Sequence, residues 1–257
     1  MVVAVIPVLG RIPLLEYTLK RLNNIVDQII CIVERPDDRQ VCADNGAFIV
    51  NSYGNRLGKK WNDGFWEAKQ FNPDFVLHMS TRNWFSDDYL KVMLPIAQNY
   101  EITGMLDFYQ LSLYYRNIDD YKDKIEYINK THKFVGSYDL DLMNKNLIRR
   151  ELIYWKGYEN YRKGEPVGGG RLIRRDYLDR VNWNPFDPKF YKNLDGSMIA
   201  KTDNFKGVRS KDAHVLAIST NLWGNKTKID KNSNTLYSET RANNYLKKWF
   251  PEALNLF

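Results

Sequence analysis

A chain of 257 residues with 44% hydrophobic and 27% charged residues can bury a full core, as one large or two small domains. Its 38 Lys+Arg against 31 Asp+Glu leave a net charge of +7, which favours an anionic partner, while the lack of a long Lys/Arg tract argues against a non-specific nucleic-acid tail. No stretch approaches the length of a membrane span, the apolar start Met1–Ile6 is too short for a signal peptide, and two cysteines give neither a disulfide framework nor metal-site spacing.

Taken in chain order, Val2–Ile6 is a continuous apolar run, β-branched but for Ala4, bounded by Pro7 and Gly10, the pattern of a buried parallel strand. A helix follows, with Pro13 near its first turn and Leu15, Leu19 and Leu22 on one face. Ile29–Val33 is a second buried run, holding Cys31 as a small hydrophobe and ending in the polar Glu34–Asp38. A shorter strand fits Ala47–Val50. The turn Tyr53–Gly58 leads into a helix with Trp61, Phe65 and Ala68 at i, i+4, i+7, and Phe75–Met79 reads as another buried strand with His78 as a core residue. Strands and helices alternating at these spacings signal βαβ units and a parallel sheet. Each main strand ends in a polar or glycine-containing loop, after Ile6, Val33 and Met79, and in open parallel sheets ligands sit just beyond those carboxyl ends.

Beyond residue 95 the pattern changes. Tyr109–Tyr115 is apolar and aromatic, Tyr121–Tyr127 is charged and reads as helical, and the stretch from about 116 to 165 has no clear assignment. Val167-Gly168-Gly169-Gly170 restores a signal, followed by a helical stretch with Leu172, Tyr177, Leu178 and Val181, a Pro-rich loop at 184–188, and Leu194–Met198. There is no internal repeat. The expectation is a single unit with two halves, residues 1–95 and 96–257.

Four segments together resemble a known family. The strand and turn Val5–Arg11, the acid Glu34 after the second strand, the segment Gly58–Gly64, and Asp74–Asn83 with Asp87–Leu90 resemble, in order and spacing, the donor half of GT-A glycosyltransferases, especially their inverting family-2-like group. The resemblance resumes at 167–200, where Gly168–Arg175 and Leu194–Met198 look like the acceptor-side segment and the start of the base-bearing helix. It implies an α/β, Rossmann-like fold with a mixed, mainly parallel central sheet flanked by helices. It also implies transfer of a sugar from a nucleotide-diphosphate donor, UDP-linked, to an acceptor hydroxyl, with inversion. Donor contacts then fall on Pro7, Val8, Gly10, Arg11, Glu34, Gly58, Lys59, Asn62, Ser80, Thr81 and Arg82. Gly169, Gly170 and Arg171 fall on the sugar or acceptor side, and Asp195 becomes the base that takes the acceptor proton.

The chain departs from that family at one place. Its members carry Asp-x-Asp after the fourth strand to hold Mn²⁺ or Mg²⁺, and hard cations need oxygen ligands, best carboxylates. Here the turn reads Ser80-Thr81-Arg82, or Thr81-Arg82-Asn83 with a slip of one. A guanidinium can clamp phosphate oxygens directly, so the sequence points to metal-independent donor binding by Arg82, with a decayed site or a metal held elsewhere as the alternatives. His214 is the candidate that a metal or phosphate would meet after the base helix, against a purely structural role; Lys211 and Lys226 are candidate phosphate contacts. Asp195 has a second reading as a helix cap, and Gly168–Arg171 lacks P-loop spacing. Of the acidic pairs Asp37-Asp38, Asp87-Asp88 and Asp119-Asp120, the first lies near the expected pocket.

The 17 Tyr, 12 Phe and 7 Trp fit core packing, with stacking platforms for sugar or base rings as the sharper alternative. A sugar nucleotidyltransferase of the same superfamily is the second functional reading, weakened by the short, apolar Gly10-Arg11-Ile12-Pro13. A non-catalytic binding module is the third. The acceptor is left open among a glycan, a lipid-linked sugar, a protein side chain and a modified nucleic-acid base. Cysteine usage suggests a reducing, cytoplasmic setting, and the abundance of Lys, Asn, Ile and Tyr suggests an AT-rich genome such as a virus's.

Overall fold

The computed structural model describes residues 1–8, 12–54, 56–115, 126–128, 133–135, 147–157, 164–189, 194–220 and 234–257. In chain order these form β1 (Val2–Pro7), α1 (Ile12–Leu22), β2 (Gln28–Val33), α2 (Pro36–Asp44), β3 (Phe48–Asn51), α3 (Leu57–Ala68), β4 (Phe75–His78) and β5 (Asn83–Phe85). Then come α4 (Tyr89–Ala97), β6 (Ile102–Met105), β7 (Phe108–Tyr115), β8 (Glu126–Ile128), β9 (Lys133–Val135), β10 (Leu147–Trp155) and β11 (Arg171–Arg174). The rest are α5 (Arg175–Arg180), α6 (Leu194–Ile199), β12 (Phe205–Val208), β13 (Val215–Thr220), β14 (Asn234–Leu236), α7 (Glu239–Trp249) and α8 (Pro251–Leu256).

The β-branched runs become the centre of a seven-stranded sheet of order β12-β6-β11-β4-β1-β2-β3. β1 pairs in parallel with β2 and β4, β2 with β3, and β6 with β12; β11 alone runs antiparallel, between β4 and β6. Alternation along the strands sends side chains to two cores. Val2, Ala4 and Ile6 pack with Leu15, Leu19 and Leu22 of α1 on one face. Val3 and Val5 pack with Trp61 and Phe65 of α3 and with Tyr177, Trp183 and Phe186 on the other. Gly64 lets α3 close on the sheet, since a Cβ there would lie 2.5 Å from Ile32 Cδ1 and 2.7 Å from Val5 Cγ1.

A second sheet, β14-β10-β7-β13-β5, is antiparallel except for the parallel pair β13–β7. Its Leu111, Leu113, Leu152, Leu216 and Ile218 pack against Leu246, Phe250 and Ala253 of the C-terminal helices. α/β architecture with a mixed, mainly parallel central sheet is thus observed.

Three local readings need correction. Leu172 does not belong to a helix: Arg171–Arg174 is a strand, and the helix covers only Arg175–Arg180. Glu126–Ile128, within the stretch read as helical, is a strand paired with Lys133–Val135, while 121–125 lie outside the described residues. The polar tail of the second strand runs directly into α2, which has Pro36 at its first turn. Among the described residues no helix is long and apolar enough to cross a membrane.

Candidate functional site

Because β11 runs against both β4 and β6, the parallel strands β1, β2, β4 and β6 all end on one edge of the sheet. In strand order that edge carries Arg209, Asp107, Gly170, the turn Ser80–Arg82, Val8, Glu34 and Ser52. This is where ligands bind in open α/β sheets.

Pro7 closes β1, and the Val8 N–H donates to Ile32 O at 2.9 Å. The Val8 side chain is buried, which leaves its backbone as the part a ligand can meet. Gly10 and Arg11 lie outside the described residues. Glu34 does not stand alone at the end of β2: Lys60 Nζ donates to its carboxylate at 2.5 Å, with only 13% and 17% of the two side chains exposed. Lys60 is a contact that sequence reasoning passed over. Its signal was weak, since it sits beside the more obvious Lys59.

α3 starts at the same edge, with Gly58 buried in its first turn. It has no acidic residue in that turn and no side-chain cap at Arg56, so its positive end faces the edge uncompensated. Lys59 is exposed and pairs with Asp63 at 2.6 Å, the weak kind of pair that can reorganise. The structure commits Asn62 to the fold rather than to the open edge. Its Nδ2 donates to Phe186 O at 3.0 Å, and its Oδ1 accepts the Phe186 N–H at 3.1 Å. This side chain therefore clamps the Pro-rich loop that leads to α6. His78 is a core residue as expected, its ring 4.0 Å from that of Trp61 and 5.3 Å from that of Phe186.

The turn after β4 is tightly organised. Ser80 Oγ donates to Asn83 Oδ1 at 2.7 Å, Asn83 N–H returns a bond to Ser80 O at 3.0 Å, and Thr18 Oγ1 donates to Thr81 O at 2.8 Å. Thr81 itself is buried. Arg82 differs: it is half-buried, its guanidinium has no hydrogen bond or ion pair with any of the described residues, and partial burial pushes its pKa below the usual arginine range. A partly desolvated cation without a counter-charge is a natural contact for an anionic ligand.

The glycine loop abuts this turn. A Cβ on Gly169 would lie 2.7 Å from Asn83 Cγ, and Gly170 has φ +87° with its N–H donating to His78 O at 2.9 Å. Arg171, expected to reach the sugar or acceptor, is instead wholly buried. Its guanidinium donates to Pro166 O at 2.6 Å, to Val167 O at 3.1 Å and to the Glu165 carboxylate at 3.2 Å.

Two strands along the edge, at roughly 10 Å by strand spacing, Asp107 follows β6. It accepts the Tyr154 hydroxyl at 2.5 Å and faces Arg209 at 3.8 Å, and burial pushes its carboxyl above the usual range. Sequence reasoning missed it, although an acid immediately after a short apolar run was the available signal. Asp195 is the second residue of α6, and its side chain lies outside the described part of the structure. His214 is held structurally: Nε2–H donates to Lys211 O at 3.0 Å and the ring packs against Trp249, Tyr109 and Tyr245. Burial pushes its pKa below the usual histidine range. Lys211 is exposed, and Lys226 lies outside the described residues. Asp37 pairs with Arg35, Asp87 with Arg21 and Asp88 with Lys91, while Asp119 and Asp120 lie outside the described residues.

Mn²⁺ or Mg²⁺ does not fit this donor set. The β4 turn offers no carboxylate, and among the described residues no group of three His, Cys, Asp or Glu side chains could hold an ion. A depression of about 610 Å³ lies at the opposite, amino-terminal edge of the sheet, near Met1, Asp74, Arg174 and Asp176. Its charges are already paired, Arg174 with Asp176 and the terminal amine with Asp74.

No family model matches the chain, and no curated protein matches it in sequence. Solved structures do match in shape. Residues 1–349 of S. aureus TarS superpose with a TM-score of 0.51 at 9% identity, covering 84% of this chain and 60% of that one. A longer TarS chain gives 0.52 at 11% identity, covering 84% and 36%. The mannosyltransferase PcManGT of Pyrobaculum calidifontis, solved with GDP-Man and Mn²⁺, gives 0.49 at 9%, covering 85% and 56%, a likeness too slight to argue from. This chain therefore spans less than two thirds of each of these three structures. At such identities the likeness speaks for architecture alone, and with the mixed, mainly parallel sheet it supports one conclusion: the chain has an α/β, GT-A-type fold, shared with TarS.

Proposed function

We propose that the carboxyl edge binds a nucleotide-diphosphate sugar, UDP-linked, and that the protein transfers the sugar to an acceptor hydroxyl with inversion and without a metal. The observation that carries this reading is Arg82, a half-buried guanidinium with no partner among the described residues, in the turn after β4 where the resembled family keeps its metal-binding acids. The uncapped start of α3, with Arg56, Lys59 and Lys60 around it, adds positive potential to the same edge. Pro7, the Val8 backbone, Glu34 with Lys60, and Gly58 would frame the nucleotide, and Gly169 and Gly170 would border the sugar. Asp195 would take the proton from the acceptor hydroxyl as its oxygen attacks the anomeric carbon. The bond to the diphosphate breaks on the opposite face, and Arg82 stabilises the departing charge.

The test is a panel of UDP-, GDP- and CDP-sugars, assayed for hydrolysis or transfer in EDTA and with Mn²⁺ or Mg²⁺. Release of nucleoside diphosphate in EDTA, lost in Asp195→Asn, supports the reading. Turnover that EDTA abolishes and Mn²⁺ restores would sink the metal-free part. Pyrophosphate release from a nucleoside triphosphate and a sugar phosphate would identify nucleotidyl transfer instead.

A further inference from the structure

Arg82 can serve an anion only if its turn is held in one shape, and the structure shows what holds it. Asn83 Oδ1 accepts twice from Ser80, from the hydroxyl at 2.7 Å and from the backbone N–H at 3.3 Å. A backbone N–H needs an acceptor, so this assigns the amide oxygen to the turn.

Behind that amide stands Gly169. A Cβ there would meet Asn83 Cγ and Oδ1 at 2.7 Å and Nδ2 at 2.8 Å. Gly169 is not among the residues with positive φ, so its lack of a side chain serves space and not backbone conformation.

The loop in turn is fastened from three sides. Gly170 N–H bonds His78 O, Val167 N–H bonds Met105 O at 2.7 Å, and the Tyr89 hydroxyl donates to Gly170 O at 2.5 Å. The wholly buried Arg171 guanidinium gathers Pro166 O, Val167 O and the Glu165 carboxylate under the loop. A buried ion pair adds little net stability against an apolar substitute, but here one guanidinium ties two loop carbonyls and a carboxylate together.

We propose that Asn83, backed by Gly169, is the positioning residue that sets the aim of Arg82, with Arg171 and Glu165 locking the loop behind it. This rests on the reading of the edge as a diphosphate site. It assigns Arg171 a place in the site's support, and it assigns a function to a side chain that touches no ligand.

The test uses the full chain and calorimetry with UDP and with inorganic pyrophosphate, both in EDTA. Gly169→Ala should keep the circular dichroism spectrum and weaken UDP binding about tenfold, by displacing the amide. In an Arg82→Gln background the same change should cost almost nothing, because residues acting through one another are non-additive. Should Gly169→Ala misfold, Asn83→Ala, which opens space where the first variant crowds it, must show the same dependence on Arg82. Full affinity in both single variants, or equal losses in both backgrounds, would overturn the positioning role while leaving the diphosphate site standing. Wild-type protein that binds neither ligand would overturn the site itself.

Discussion

The Asn62 clamp gives the sharpest stability prediction. Asn62 is 5% exposed and supplies both partners of the Phe186 peptide groups, the acceptor for its N–H and the donor for its C=O. Asn62→Ala strands two buried backbone groups, each costing about 1–3 kcal/mol when unpaired, so a loss of about 3 kcal/mol is expected after partial hydration. Asn62→Asp is more informative. At neutral pH it keeps the acceptor but sets a carboxylate against Phe186 O, so it should cost at least as much. At acidic pH the protonated carboxyl can donate to that carbonyl, and the deficit should shrink. Urea unfolding followed by tryptophan fluorescence, at pH 7 and pH 4.5, reads both. The reasoning is refuted if Asn62→Ala unfolds within about 0.5 kcal/mol of wild type while nucleotide affinity falls, since Asn62 would then belong to the donor and not to the loop.

Other outcomes follow from the same geometry. Gly64→Ala should destabilise by about 1–3 kcal/mol through overpacking against Ile32 and Val5, seen as a lower Tm; an unchanged Tm would mean that α3 does not sit where described. For His214, burial holds the folded pKa below 6.5. The unfolded chain therefore binds the proton first, and this contribution is complete above pH 6.5 and is lost as pH falls below it. Wild type should lose more stability between pH 7 and 5 than His214→Phe, and equal slopes would contradict the buried neutral ring. Arg82→Gln should leave stability unchanged or higher, since it removes a half-buried charge with no partner among the described residues, whereas a clear loss would reveal a partner for Arg82 within the protein.

The sequence announced the parallel half of the fold because its signals there are local. Val2–Ile6 and Ile29–Val33 are apolar throughout and mostly β-branched, as suits strands buried on both faces, and Trp61, Phe65 and Ala68 mark the buried face of α3 without ambiguity. α2 escaped notice because its stretch is mostly polar, so Pro36 at its start was the available cue. Arg171–Arg174 was hidden by the helix that follows it. It is a strand because it slots between β4 and β6, a pairing that no local pattern encodes. The second sheet joins strands from 83–85 to 234–236 and was equally out of reach.

At the site, Arg82 was legible because a cation stands where the resembled family keeps acids. Asn62 and Arg171 were not. The partner of Asn62 lies 124 residues further along the chain, and the burial of Arg171 depends on the whole sheet forming. Polar residues next to glycines read alike in sequence, whether they face a ligand or brace the loop that does.

In the proposed diphosphate site, the positive charge comes from Arg82. Calorimetric titration of UDP into wild type and Arg82→Gln, both in EDTA, tests it most directly. Metal-free binding by wild type and a loss of about 10- to 100-fold in the variant, the worth of one charge-assisted contact, are expected. Equal affinities in the two proteins, or binding by wild type only when Mn²⁺ is added, would contradict it.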